Sequence, residues 1–179
     1  MFQRFIRAIL AIFVPAPLGD SFFAAITNVV DADSLEFQVG WHRYSARLVG
    51  VDGPEYLQDF GPQAFDILRD LAYSSRDVQI DRYGFDKFNR MLVRVTVGGK
   101  DLALELLERG GAWHSPGYTA KSIPQHTEAY TQAMYRARSG RRGLWLANNP
   151  VHPGQFRAER RAPSSFGNSA KPAAQFDLF

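Results

Sequence analysis

Residues 43–55 read RYSARLVGVDGPE and hold the clearest structural signal in this sequence. From Arg43 to Val51 apolar and polar residues alternate, which is typical of a β-strand with one buried face. The strand should end at Asp52-Gly53-Pro54, because proline lacks a backbone donor and restricts the residue before it. The stretch therefore predicts a strand that stops abruptly and carries acidic residues at its end.

Further strands and helices are predicted on both sides of this stretch. Two strands precede it (Phe22 to Val30 and Leu35 to Val39), and two follow it (Asp77 to Asp81 and Met91 to Val97) with a polar turn, Arg82 to Arg90, between them. Helices are predicted from Gly61-Pro62 through Ala72, from the N-cap Asp101 to Gly110-Gly111, and from near Pro124 to Gly140. Five strands and three helices predict an α+β domain, in which helices cover a small five-stranded β-barrel of the OB-fold type.

The composition limits the chemistry more than it limits the fold. The 179 residues carry a net charge of +3, with a pI near 9.3, which suits a polyanionic partner without establishing one. There is no cysteine, so disulfides, thiolate nucleophiles and cysteine zinc sites are excluded. The four histidines show no helical i,i+4 pairing, so a bound metal should have oxygen ligands, which favours calcium, magnesium or manganese.

Charged side chains gather at the ends of the predicted strands, where separate strands can converge. Carboxylates hold hard divalent cations or take a proton from water, and the planar guanidinium group of arginine pairs with two phosphate oxygens at once. Cleavage of a phosphodiester bond requires these groups together. Each residue alone is also an ordinary solvated turn residue, so only their joint arrangement favours a site. The set comprises Asp31, Asp33, Arg47, Asp52, Glu55 and Arg90.

Three ordered motifs in this set resemble those of the thermonuclease (staphylococcal nuclease-like) family. Residues 29–35, 47–55 and 86–90 read VVDADSL, RLVGVDGPE and DKFNR, where the family has V-D-G-D-T, R-L-x-G-I-D-x-P-E and D-x-Y-G-R. The sequence Gly143-Leu144-Trp145 after the third helix is similar to the family's usual ending. The resemblance extends roughly from Phe22 to Arg157 and implies a metal-dependent nuclease on an OB-fold barrel.

The resemblance implies a cation site and a general base. Asp33 and Asp52 would bind calcium, or manganese or magnesium in its place, with the backbone carbonyl of Gly53 as a further ligand. Asp31 would be a supporting carboxylate near the metal, and Glu55 would be the general base that orients the attacking water.

The resemblance also implies how the substrate is held. Arg47 and Arg90 would clamp the scissile phosphate of DNA or RNA, and Lys87, Phe88 and Tyr118 match positions that contact the nucleotide. We expect the enzyme to act as a monomer.

Four residues depart from the family pattern. Ala32 replaces a glycine, so its turn has to avoid the left-handed conformation or tolerate strain. Ser34 replaces a threonine but keeps the hydroxyl group. Phe88 replaces a tyrosine and can stack without its hydrogen bond, and Asn89 replaces a glycine as the next best residue at positive φ. No catalytic charge is lost, which favours a competent site.

The chain divides into an apolar segment (1–20), a nuclease-like domain (21–157) and a flexible Pro-, Ser- and Ala-rich tail (158–179). Basic residues before the apolar run are typical of a secretory signal, but Pro17 directly after the candidate cleavage site is unfavourable. The alternative is an apolar arm that packs on the domain.

The tail ends in QFDLF, which resembles the bacterial sliding-clamp binding motif, with Gln175, Leu178 and Phe179 as the contacting residues. A clamp partner requires the cytoplasm, whereas a secretory signal implies export, and the poor cleavage site favours the cytoplasm. Two alternatives to a nuclease remain: a non-catalytic OB-fold module that binds single-stranded nucleic acid, and an adaptor recruited to the clamp through its tail.

Overall fold

The computed structural model describes residues 21–161, which form nine strands, five α-helices and two short 3-10 helices. The strands are β1 (Ser21–Phe23), β2 (Ala25–Asp31), β3 (Ser34–Val39), β4 (His42–Leu48), β5 (Val51–Asp52), β6 (Val78–Phe85), β7 (Met91–Val97), β8 (Lys100–Asp101) and β9 (Trp113–His114). The helices are α1 (Gly61–Ala72), α2 (Leu102–Glu108), α3 (Pro116–Ser122), α4 (Thr127–Ser139) and α5 (Pro153–Arg161), with 3-10 helices at Pro124–His126 and Gly143–Leu146. The predicted signal or arm (1–20) and the predicted clamp motif, with Gln175, Leu178 and Phe179, lie outside the described residues.

The five long strands form a sheet in the order β6–β7–β4–β3–β2, antiparallel except for the parallel pair β4 and β7. The strand β1 pairs with β6 at one edge and β2 pairs with β3 at the other, while only Ala24 separates β1 from β2. The same short segment therefore joins both edges of the sheet, as the first strand of a closed barrel does. The predicted α+β fold with an OB-type barrel is confirmed. The predicted strand Phe22 to Val30 is two strands, because the chain changes partners at Ala24.

Alternate residues of the strands fill the interior of the barrel. In β7 the side chains of Met91, Val93, Val95 and Val97 are buried, and the residues between them are half-buried. The helices α1 and α2 contribute leucines to the same core, and the two helices pack against each other. Burying this apolar face is the main favourable term that holds the helices on the barrel.

A buried polar network ties α2 and α4 to the sheet. Asp101 caps α2, as predicted, by accepting hydrogen bonds from the backbone of Ala103 at 3.0 Å and of Leu104 at 3.2 Å. The same carboxylate accepts a hydrogen bond from the hydroxyl of Tyr130 and pairs with Arg94 at 2.7 Å. Each buried polar group in this network is satisfied, which keeps the back of the barrel rigid.

A second, two-stranded sheet holds Asp52 at the rim of the barrel. The strand β5 pairs with β9, with Val51 opposite His114 and Asp52 opposite Trp113. Gly50 makes the turn between β4 and β5 at φ 83°, and a Cβ atom there would lie 2.8 Å from Oγ1 of Thr119. The predicted strand Arg43 to Val51 is therefore interrupted after Leu48, because this turn moves Asp52 onto a different sheet.

The structure differs from the sequence prediction in further places, and the short strands β8 and β9 were also not predicted. The strand β6 continues to Phe85, so the polar turn covers 86–90 instead of 82–90, because pairing with β7 outweighs the local polarity. The helices α3 and α5 were not predicted, and α5 continues to Arg161 through residues 158–161, which the sequence assigned to the tail. Within residues 21–161 no helix combines the length and the apolar character needed to cross a bilayer.

Candidate active site

Arg47 joins the two central acidic residues of the predicted site. Its Nη2 atom lies 2.9 Å from Oδ2 of Asp33 and 2.8 Å from Oδ1 of Asp52, and its Nη1 donates to Oδ1 of Asp33 at 3.1 Å. Arg47 lies on β4 directly opposite Ser34 of β3, while Asp52 follows the Gly50 turn. The two carboxylates therefore face each other across a single guanidinium group.

Asp33 is almost completely buried, with 4% of its surface exposed. Its oxygens accept hydrogen bonds from the backbone N–H of Gly53 at 3.0 Å and from the hydroxyl of Ser34 at 2.9 Å. Burial raises the pKa of Asp33 from 3.8 to about 7; the neighbouring Arg47 opposes this rise and the neighbouring Asp31 adds to it. The protein therefore holds this carboxylate in a place where its charged form is destabilised.

The close contact between two turns explains the glycine at position 53. A Cβ atom on Gly53 would lie 2.7 Å from Cβ of Ala32 and 3.0 Å from its carbonyl oxygen. Any larger residue at position 53 would push apart the two turns that carry the predicted metal ligands. Ala32 is not among the residues with positive φ, so the expectation that its turn avoids the left-handed conformation is confirmed.

The turn between β6 and β7 positions Arg90. The carboxylate of Asp86 accepts hydrogen bonds from the backbone of Phe88 and Arg90, and from Nε of Arg90 at 2.8 Å. These bonds lower the pKa of Asp86, against the effect of its partial burial. Asn89 has φ 61°, which confirms the expectation of a left-handed residue in place of the family's glycine.

An aromatic ring and two cations stand beside this turn. The side chain of Phe88 is 66% exposed, with Nζ of Lys87 5.0 Å and Cζ of Arg90 5.6 Å from the centre of its ring. An exposed ring flanked by cations can stack on a base while the cations attract phosphate.

Glu55 lies beside the acidic pair and has a partner that the sequence did not reveal. Its backbone N–H donates to Oε1 of Gln58 at 3.2 Å, and its carboxylate is partly exposed. Nη1 of Arg157 donates to Oε1 of Glu55 at 2.7 Å, and Nη2 of Arg157 donates to Oδ2 of Asp52 at 3.2 Å. No sequence signal indicated Arg157, because it lies more than 100 residues from Glu55, at the predicted end of the nuclease-like domain and outside the motifs.

One open cleft of about 680 Å³ brings the predicted residues together. Lys121 of α3 and Arg157 of α5 add further positive charge to its wall. Tyr118 belongs to α3, but its side chain lies outside the described part of the structure. The cleft is lined by nine of the predicted residues: Asp31, Asp33, Arg47, Asp52, Gly53, Glu55, Lys87, Phe88 and Arg90.

The donor atoms of the acidic pair suit a hard divalent cation. Carboxylate oxygens of Asp33 and Asp52 lie within hydrogen-bonding distance of one nitrogen atom, and the backbone of Gly53 adjoins them. Within residues 21–161 no three acidic or histidine side chains converge closely enough to hold a metal by themselves. A cation bound to this pair would need backbone or water oxygens as further ligands, which calcium accepts readily.

The fold and this cleft define a class of protein. Buried carboxylates, an accessible carboxylate and paired arginines at the rim of an OB-type barrel are the parts of an enzyme that cleaves phosphodiester bonds. The family model described as staphylococcal nuclease homologue matches residues 45–147, more than half of the chain. The chain belongs to this family, as its motifs predicted, and the family supports a hydrolase that acts on nucleic acid.

Individual relatives extend the match beyond those residues. An "Uncharacterized endonuclease" of Haemophilus influenzae is 30% identical over 150 residues, which cover 83% of this chain and 80% of that protein. An "Uncharacterized endonuclease" of Escherichia coli O157:H7 is 26% identical over 152 residues, 84% of this chain and 95% of that protein. The "Probable staphylococcal-like nuclease CAN4" of Oryza sativa is 32% identical over 127 residues, 71% of this chain but only 24% of that protein. The similarity to the bacterial proteins therefore spans most of both chains, unlike that to the plant protein.

Proposed function

We propose that this protein is a calcium-dependent endonuclease that hydrolyses phosphodiester bonds of DNA or RNA, with manganese or magnesium as alternative cations. The proposal is carried by the single guanidinium of Arg47, which binds the buried carboxylates of Asp33 and Asp52 in the cleft that also holds Glu55 and Arg90. Buried charges are costly to fold, so a site that retains two of them is best explained by a function that needs them.

In this proposal the acidic pair holds the cation. Asp33 and Asp52 bind it through carboxylate oxygens, the carbonyl of Gly53 is a further ligand, and Asp31 is a supporting carboxylate. A bound calcium ion supplies positive charge that polarises the phosphate and neutralises the negative charge which develops there.

Glu55 is the proposed general base. Its partly exposed carboxylate opens onto the cleft, where it can orient a water molecule and accept its proton. The water oxygen bonds to phosphorus as its proton passes to Glu55, the bond from phosphorus to the leaving oxygen breaks, and that oxygen takes up a proton from solvent. Arg47 and Arg90 bind the phosphate oxygens, whose negative charge rises in the transition state.

The β6–β7 turn is the proposed nucleotide-binding edge. The exposed ring of Phe88 stacks on a base, Lys87 attracts the neighbouring phosphate, and Tyr118 of α3 contacts the nucleotide. We also propose that the enzyme acts as a monomer. Recruitment to a sliding clamp and a cytoplasmic location remain proposals that rest on sequence outside the described residues.

The test combines metal removal with one substitution. The purified protein should degrade single-stranded DNA or RNA in the presence of calcium. This activity should stop when a chelator is added. Glu55→Gln should lower turnover by roughly 100-fold, with little change in calcium binding measured by calorimetry, as expected for a base that does not ligate the cation. Glu36→Gln, the same change on β3 outside the cleft, should behave as the wild type.

Two results would contradict the proposal. Undiminished activity in excess chelator would exclude a metal-dependent mechanism, and near-normal turnover of the Glu55→Gln protein would remove Glu55 from the role of base. Binding of single-stranded nucleic acid without any hydrolysis would favour the non-catalytic module.

A further inference from the structure

The helix α5 lies beyond the part of the chain that the family model matches, which ends at residue 147. The segment before this helix is nevertheless attached to the catalytic rim. The side-chain amide of Gln58, a buried residue, donates to the backbone carbonyl of Val151, and the ring of His152 packs 5.5 Å from that of Trp113. These contacts hold the start of α5 next to the loop that carries Glu55.

Arg157 is the residue of α5 that reaches the acidic cluster. It connects Glu55 and Asp52 through its two terminal nitrogens, at 2.7 Å and 3.2 Å. Because Arg47 already contacts Oδ1 of Asp52, both oxygens of this carboxylate are occupied by arginines. A cation that binds Oδ2 of Asp52 must therefore displace Arg157 or share this oxygen with it.

The two arginines differ in how firmly they are held. The side chain of Arg47 is 23% exposed, lies on a barrel strand and contacts both central aspartates. The side chain of Arg157 is 36% exposed, and its contact to Asp52 is longer than its contact to Glu55. A cation at Oδ2 of Asp52 therefore meets the weaker of the two contacts made by Arg157, and the bond from Arg157 to Glu55 can persist.

We propose, on the basis of the proposed function, that Arg157 is a positioning residue of the catalytic centre. It holds the carboxylate of Glu55 in place, and it competes with the divalent cation for Oδ2 of Asp52. A variant without Arg157 should therefore bind calcium more tightly but hydrolyse nucleic acid more slowly. If Arg157 only stabilised the rim, its loss would weaken calcium binding and slow hydrolysis. If Arg157 were only a competitor of the cation, its loss would tighten calcium binding without lowering turnover.

The experiment titrates calcium into the full-length protein by calorimetry and measures kcat at saturating calcium. Arg157→Gln removes the charge, and it should lower the calcium Kd by roughly 5-fold to 10-fold, since a positive charge next to the ligand is lost. Its kcat should fall by about 10-fold, because the base is no longer oriented. Arg160→Gln is the matched control: it removes the same charge from the same helix, and Arg160 is not among the described residues that line the cleft.

Arg157→Lys separates charge from geometry. Lysine keeps the positive charge but lacks the planar fork that bridges two carboxylates, so the calcium Kd should stay near the wild-type value while kcat remains low. This variant also decides the question if the Arg157→Gln protein does not fold. A wild-type kcat in Arg157→Lys would then overturn the proposal.

The remaining outcomes are also decisive. A calcium affinity of Arg157→Gln that equals that of Arg160→Gln, or is weaker, would overturn the proposal and leave the nuclease assignment intact. A wild-type protein that neither binds calcium nor hydrolyses nucleic acid would overturn the proposed function, and this inference with it.

Discussion

Arg90 donates a hydrogen bond from Nη1 to Oγ of Ser34 at 3.1 Å, although 56 residues separate them in the sequence. The hydroxyl of Ser34 donates in turn to Oδ1 of Asp33 at 2.9 Å. One small side chain therefore connects the proposed phosphate-binding arginine to a proposed ligand of the cation. The β6–β7 turn and the β2–β3 turn are aligned by this contact.

Removal of the Ser34 hydroxyl should uncouple the two turns. Ser34→Ala should reduce kcat/KM by roughly 5-fold to 10-fold, as expected when two hydrogen bonds with a combined net contribution of about 1 kcal/mol are lost. Ser34→Thr keeps the hydroxyl and should retain the wild-type rate. Steady-state kinetics on one oligonucleotide, with circular dichroism to verify folding, would test this, and equal rates in the alanine and threonine variants would contradict it.

Loss of Arg90 should remove stabilisation of the transition state. Arg90→Ala should lower kcat by a factor of about 100, or roughly 3 kcal/mol, the usual effect of losing a donor aimed at developing negative charge. Arg109→Ala is the control, because Arg109 is exposed and only approaches Glu105 at 3.8 Å. Single-turnover rates at saturating calcium measure the effect. A loss confined to KM would instead assign Arg90 to ground-state binding.

Asp33 should make the calcium-free protein less stable at high pH. Its pKa is about 7 in the folded protein and near 3.8 when unfolded, so the folded state binds the extra proton between these values. The free energy of unfolding should therefore fall as the pH rises from about 4 to 7. Asp33→Asn cannot ionise and should be more stable than the wild type at pH 8, on the order of 1–4 kcal/mol, while activity is lost.

Urea denaturation in excess chelator at several pH values measures this difference. The advantage of Asp33→Asn should shrink as the pH falls towards 4 and level off above about 7. Asp66→Asn, which changes an exposed carboxylate paired with Arg69 on α1, should show no such dependence. A stability difference independent of pH would refute the effect of burial on Asp33.

The C-terminal motif should bind a sliding clamp with micromolar affinity, since a short segment that orders on binding loses part of its contact energy. Leu178 and Phe179 should fill the clamp pocket, and Gln175 should hydrogen-bond at its rim. Deletion of residues 175–179 should abolish clamp binding and leave the hydrolysis of short oligonucleotides unchanged. Titration of the tail peptide against purified clamp tests this, with a Leu178→Ala, Phe179→Ala peptide as the control. Equal signals would reject the motif and favour export.

Local patterns were enough to predict the barrel and the acidic turns. The alternation along β7 and the Pro54 stop after Asp52 depend on neighbours within a few residues, and so does the left-handed Asn89. The motif residues could be assigned to one cleft because barrel strands bring their ends together. The family could be recognised before the fold was known because its three motifs are short, local stretches of sequence.

Long-range packing decided the rest. The change of partner at Ala24 depends on two distant sheet edges, and β6 extends to Phe85 only because β7 is there to pair with it. Arg157 reaches Glu55 because α5 packs on the rim more than 100 residues later in the chain. Such contacts carry no local sequence signal, since either residue alone is an ordinary surface charge. Only when the chain is folded does Arg157 become part of the site.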